Sequence, residues 1–177
     1  MSSVVISGDT SGAITLAAPS VSGTNTATLP AATGTVMISG NQPAFLAYAG
    51  AGTALSNGAF TKVLFNTETF DTNNNFASST FTPTVAGYYQ FSAGVSQNGT
   101  YTSTNNVIGI HKNGTWTICG STACGVAVNG YWTVSGLLYM NGSTDYVEVY
   151  IYQSSSGTIN TNSGVQTSFS GCLVRNA

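Results

Sequence analysis

The chain has 177 residues, of which 42% are hydrophobic and only 5% charged, with a formal net charge of −2. That balance is the reverse of a disordered chain's, and a domain of this length buries roughly 70% of its unfolded surface, so a folded protein with a neutral, hydroxyl-rich exterior is expected. So little charge makes no field to steer nucleic acid or an anionic membrane, and no run reaches the ~18 apolar residues of a membrane span; neither nucleic-acid binding nor membrane insertion is expected.

Residues 1–40 are rich in small side chains and hold one charge, Asp9. Short alternating pieces occur at Val4-Val5-Ile6, Ala13-Ile14-Thr15-Leu16, Ala27-Thr28-Leu29 and Val36-Met37-Ile38, separated by Gly8, Gly12, Pro19, Gly23, Pro30 and Gly34. Pieces so short and so poor in aromatics build no core alone and must pair with a neighbour, so this region reads as an extended β arm. The N-terminus lacks the basic region and long apolar block of a signal peptide, which predicts synthesis in a cytosol.

Asn41-Gln42-Pro43 marks the join to a second region, residues 41–177, which holds all the aromatics and all but one of the charges. No apolar period of 3.6 is sustained, while β-branched and aromatic runs alternate with Gly, Asn, Ser and Pro; the whole chain is all-β. Strands are expected at Phe45–Ala47, Lys62–Phe65, Gly87–Val95, Asn106–Lys112, Thr115–Cys119, Trp132–Met140, Tyr146–Tyr152 and Thr167–Val174, with Phe76 near a bend. Asn113-Gly114 between two of them is a two-residue hairpin signal, because that pair accepts the positive φ angles of a type I′ turn. Asn98-Gly99 and Asn141-Gly142 read as turns on the same grounds, rather than as glycosylation sites.

The run Phe81-Thr82-Pro83-Thr84-Val85-Ala86-Gly87-Tyr88-Tyr89-Gln90-Phe91-Ser92 is a proline turn feeding a glycine and an aromatic strand. It follows Val63-Leu64-Phe65-Asn66, Asp71 and Asn75-Phe76, and precedes Lys112-Asn113-Gly114, Asn141-Gly142, Asp145-Tyr146-Val147 and Phe169-Ser170-Gly171-Cys172-Leu173-Val174. In that order these motifs resemble the globular head of complement's recognition subunit, a relative of the tumour necrosis factor jelly roll, over about Asn41 to Ala177. The resemblance implies an antiparallel jelly-roll β-sandwich and a homotrimer in which one sheet packs around a three-fold axis.

A period of two sends Tyr89, Phe91, Ala93 and Val95 to the core and Tyr88, Gln90 and Ser92 to the other face, and likewise separates Val147, Val149 and Ile151 from Tyr146, Glu148, Tyr150 and Tyr152. Tyr is enriched at interfaces, so Tyr88, Gln90, Ser92, Leu137, Tyr139, Tyr146, Tyr150 and Tyr152 are the residues expected at the trimer contact. The family's collagen-like stalk is absent. Its calcium site does not carry over to the scattered acids Glu68, Asp71, Asp145 and Glu148, and Asp71 with Asn73, Asn74 and Asn75 reads as a solvated turn.

The phrase Ile14-Thr15-Leu16-Ala17-Ala18-Pro19 followed by Thr28-Leu29-Pro30-Ala31-Ala32-Thr33-Gly34-Thr35-Val36 resembles a segment near the start of fibre and surface proteins of tailed phages. The resemblance implies a bacteriophage virion surface protein made in the host bacterial cytoplasm: a tail fibre, a head fibre or a capsid decoration protein. Val4, Ile6, Ile14, Leu16, Leu29, Val36 and Ile38 are then the candidates for virion attachment, and the partners are the chain itself and other capsid or tail proteins. A host glycan is the alternative partner, with Tyr131, Trp116 and Trp132 stacking on sugar faces or, more blandly, the two Trp buried or in subunit contacts.

An enzyme is not expected. No Gly-x-Ser-x-Gly elbow, phosphate loop or His-x-x-x-His pair is present, and no cofactor or metal is called for. His111, the one histidine, reads as a surface or subunit-contact residue. Cys119, Cys124 and Cys172 leave at least one thiol unpaired within the chain and read as small buried residues of strands.

Overall fold

The computed structural model of the chain describes residues 3–21, 23–28, 31, 33, 36, 38, 40, 42–98, 100–122, 126–128, 130–155 and 157–177. It divides into two units, Met1–Gly34 and Thr35–Ala177. In the first, β1 (Ser3–Ser7) and β2 (Ala13–Ala17) form an antiparallel hairpin. Gly12, at φ +77°, supplies the left-handed residue of the turn, and the Gly8 N–H donates to the Gly12 carbonyl at 3.0 Å.

The second unit contains β3 (Ala44–Ala49), β4 (Ala54–Leu55), β5 (Phe60–Lys62), β6 (Thr67–Asp71), β7 (Phe76–Ala77), β8 (Thr80–Phe81), β9 (Gly87–Asn98) and β10 (Thr100–Lys112). It continues with β11 (Thr115–Thr122), β12 (Val126–Val128), β13 (Tyr131–Met140), β14 (Val147–Ser155), β15 (Ile159–Thr161) and β16 (Gly164–Asn176). Sheet I runs β11-β10-β14-β8-β7, with β5 also on β14 and β12 on β10; sheet II runs β4-β15-β9-β16-β3-β6, with β13 along β9. All of these strand pairs are antiparallel, and the two sheets enclose one core: an antiparallel jelly-roll β-sandwich.

The expected alternation in β9 is observed. Tyr89, Phe91, Ala93 and Val95 are buried, facing Ile108, Ile110, Val147, Val149 and Ile151 from the other sheet. Phe45 stacks on Phe76 and Phe81 at 4.8 and 4.4 Å and meets Phe169 edge-on at 5.0 Å, an aromatic cluster that dominates one end of the core. The Tyr89 hydroxyl, buried with that cluster, donates to the Val85 carbonyl at 2.7 Å; burial pushes its pKa up to about 12.

Asn113 and Gly114 have φ of +53° and +74° between the paired Lys112 and Thr115, as a type I′ hairpin requires. Asp71 spends its carboxylate on the turn it begins, accepting from the Phe76 and Asn73 N–H groups at 2.7 and 3.4 Å.

Three expectations are corrected. The strand expected at Lys62–Phe65 is Phe60–Lys62 instead. Val63 and Phe65 are buried, but the N–H groups of Leu64 and Phe65 go to the hydroxyls of Thr53 and Ser79, so no ladder continues there. Cys119 and Cys172 do lie in strands, yet both are exposed, because Ile118 and Leu173 take the inward positions beside them; Cys124 lies outside the described residues, as does Gly99 of the Asn98-Gly99 turn. His111 is 9% exposed rather than a surface residue.

Candidate interaction surface

The outward faces of the two sheets differ. On sheet II, strand pairing sets Tyr139 opposite Tyr88, Leu137 opposite Gln90 and Ser135 opposite Ser92; Gln90 and Ser92 in turn face Cys172 and Ser170. The Tyr88 and Tyr139 rings lie 5.5 Å apart. Leu137 is 54% exposed, Tyr139 44% and Tyr88 40%, and Val174 and Phe70 on neighbouring strands are likewise exposed. A shallow depression of about 420 Å³ is lined by Tyr88, Leu137, Val174 and Arg175. A second, of about 250 Å³, lies among Phe70, Gln90, Ser170 and Cys172. Exposed apolar residues gathered on one sheet face make it a candidate interaction surface.

On sheet I the aromatic residues pack on one another, with Phe60 the outermost at 56% exposed. His111 stacks on Tyr150 with centroids 4.2 Å apart and meets Trp116 edge-on at 4.8 Å, while Phe60 packs on Trp116 and Tyr152 at 5.0 and 5.1 Å. The register bulge between Ile110 and His111 pairs His111 with Trp116, and Trp116 fills the space above Gly109, where a Cβ would come within 2.8 Å of its ring. Burial lowers the His111 pKa, opposed by the charge of Glu148, its cross-strand neighbour.

Glu148 is held by the Lys62 ammonium at 2.7 Å, the Thr80 hydroxyl at 2.9 Å and the Tyr150 hydroxyl at 3.3 Å. Burial works to raise its pKa, but these donors and the Lys62 charge outweigh it, and the net shift is downward. Burial also raises the Tyr150 pKa, helped by the Glu148 charge.

A second ion pair lies where the Asn113-Gly114 and Asn141-Gly142 turns meet. Lys112 contacts Asp145 at 2.8 Å and donates to the Tyr139 carbonyl at 2.6 Å. The Asn113 amide and the Asn141 N–H also donate to Asp145, at 2.7 and 2.9 Å. The Lys112 hydrogen bond is the largest cause of a lowered Asp145 pKa, burial opposing it and Asn113, Asn141 and the Lys112 charge reinforcing it.

The residues anticipated at the trimer contact therefore do not form one surface. Tyr88, Gln90, Ser92, Leu137 and Tyr139 share the open face of sheet II. Tyr150 and Tyr152 lie on sheet I, with Tyr146 half-buried just before β14. The anticipated glycan trio also separates. Trp132 is 3% exposed in the core; Trp116 is half-buried on sheet I; Tyr131 is exposed on sheet II, over Gly94. The spacing of Trp132, Val134 and Met140 was the signal for an inward Trp132, since all three fall on one side of a strand.

In the N-terminal unit, Val4 pairs with Leu16 and Ile6 with Ile14, which puts these four candidates on one face of the hairpin, each more than half exposed. Val36 and Ile38 are exposed, and Leu29 lies outside the described residues.

No protein-family model matches the sequence, and no curated protein matches it. Among solved structures, the chain is similar to murine APRIL at pH 5.0, with a TM-score of 0.57 at 9% identity over 75% of this chain and 98% of that one. Murine APRIL at pH 8.0 gives 0.52 at 10% identity, again over 75% and 98%. The globular domain of the zebrafish complement 1qA protein aligns at 17% identity over 77% of this chain and 99% of its own, with a TM-score of 0.48. What the likeness to APRIL shows is the jelly-roll fold anticipated from the sequence.

Proposed function

We propose that this chain is a non-enzymatic structural protein of the surface of a tailed-phage virion, a fibre or capsid decoration protein, with an N-terminal arm that attaches to the particle and a head that assembles as a homotrimer. The observation that carries the reading is a pair of exposed apolar surfaces, one on each unit. The aliphatic face of the β1–β2 hairpin gives the first unit something to bury, and the open face of sheet II gives the second its own. A chain this poor in charge has little but apolar burial and backbone pairing with which to assemble. The arm's resemblance to phage surface proteins supplies the biological setting.

A non-catalytic role is supported by His111, enclosed by aromatic rings, and by Asp145 and Glu148, each committed to a lysine. The glycan reading loses its shared stacking platform once Trp132 joins the core, so architecture is the reading preferred. The test is deletion of residues 1–34 and assembly of virions from the truncated chain. The expected result is a folded, trimeric head that is missing from particles; normal incorporation would overturn the arm's assignment.

A further inference from the structure

The interior of the head changes character along its length. On β9 the inward series Tyr89, Phe91, Ala93, Val95 ends in Gln97, whose cross-strand partner on β15 is Thr161. From the facing sheet, Val147, Val149 and Ile151 give way to Gln153 and Ser155 on β14, while Ile110 and Ile108 give way to Asn106 on β10, the cross-strand partner of Gln153. All five polar residues are buried, and Gln97, Asn106 and Gln153 are 0% exposed. The change falls at one end, because Tyr89 packs on Phe81, which pairs with Val147, at the other.

Most of this polarity is satisfied. The Gln153 amide donates to the Leu55 and Gly157 carbonyls at 3.0 and 2.9 Å and accepts from the Ser155 N–H at 2.6 Å, and the Thr161 hydroxyl accepts from the Thr53 N–H at 2.8 Å. Gln97 is the exception: neither its Oε1 nor its Nε2 has a hydrogen-bond partner among the described residues. A carboxamide with both ends dry is among the costliest things a core can hold, and an apolar side chain would simply have continued the series from Val95. Internal water is the usual partner of such a group where other polar side chains surround the same space.

We propose that this end of the head interior is a hydration site, in which ordered water donates to Gln97 Oε1 and accepts from Gln97 Nε2, beside the cross-strand Thr161. The head is then dry where its own first and last strands begin and end, and wet at the opposite end. This inference does not depend on what the trimer attaches to.

Gln97→Met tests it by sign. Methionine matches the shape and keeps no polar atom. If water occupies the site, the substitution strips it of its principal partner and the melting temperature falls by several degrees. If the site is dry, the substitution relieves an unpaired amide, and an unchanged or higher melting temperature overturns the proposal. Should the variant not fold, a high-resolution crystal structure of the unaltered chain decides. Density for solvent oxygens about 2.7–3.2 Å from both amide atoms is the expected result, and density for neither overturns it.

Discussion

The two outward faces of the sandwich are built from similar residues and end in different states. On sheet I, Tyr150 and Trp116 enclose the buried His111, and Phe60, itself 56% exposed, packs on Trp116 and Tyr152, with the Lys62–Glu148 pair alongside. Sheet II exposes Tyr88, Tyr139, Leu137 and Val174, and among the described residues the Tyr88–Tyr139 pair is the ring contact on that face. The difference is topological: β5 lies against β14 and delivers Phe60 over the sheet I cluster, whereas β13, along β9, leaves Leu137 and Tyr139 open. An outward aromatic is therefore evidence of an interface only when its own chain does not cover it.

The largest expected effect breaks assembly and spares the fold. Leu137→Asp puts a carboxylate at the centre of the open face, where burial against another subunit would cost roughly 3–5 kcal/mol, and should leave a folded monomer in sedimentation velocity. Tyr152→Ala on the other sheet should leave the assembled mass unchanged. The reverse pattern would exchange the roles of the two faces.

Gly109→Ala sharpens the comparison from the other side. The new methyl must displace the Trp116 ring and crowd the Ile118 carbonyl, at 2.8 and 2.9 Å, so a loss of about 1–3 kcal/mol in denaturant unfolding is expected with no change in oligomeric state.

Acid should act on sheet I first. Because the folded His111 pKa is lowered, the unfolded chain takes up the proton more readily below about 6.5, and the stability contributed by neutral His111 is lost as pH falls from there through the folded value. Glu148 and Asp145, also lowered, contribute stability that is full above about 4.3 and is lost as pH falls through their folded values. Melting temperatures followed by circular dichroism should show both steps, and His111→Phe should remove only the first.

Salt should have the smallest effect. Among the described residues the ion pairs are Lys62–Glu148 and Lys112–Asp145, both partly shielded, so the melting temperature should move little as sodium chloride rises. Native trypsin should cut slowly at all three of its sites, since Lys62, Lys112 and Arg175 are each held in a paired strand; Arg175, next to the end of β16, should be cut first.

Much of this was legible in the sequence. The Asn113-Gly114 turn and the alternation of β9 and β14 follow from local chemistry, and the order of short motifs led to the jelly roll. What was not legible depended on partners remote in the chain. Nothing near Tyr152 or Trp116 announces that Phe60 will pack on them, and nothing near Leu64 and Phe65 announces that Thr53 and Ser79 will take their N–H groups in place of a strand. His111 reads as a surface residue until the bulge in β10 brings Trp116 against it. Trp132 is different: its inward position was present in the period of its own strand.

The central claim is that the open face of sheet II is closed by other copies of the chain. Multi-angle light scattering of the purified protein at micromolar concentration tests it most directly: the account predicts a single species of three times 18.1 kDa, and a monodisperse species of one chain mass would contradict it.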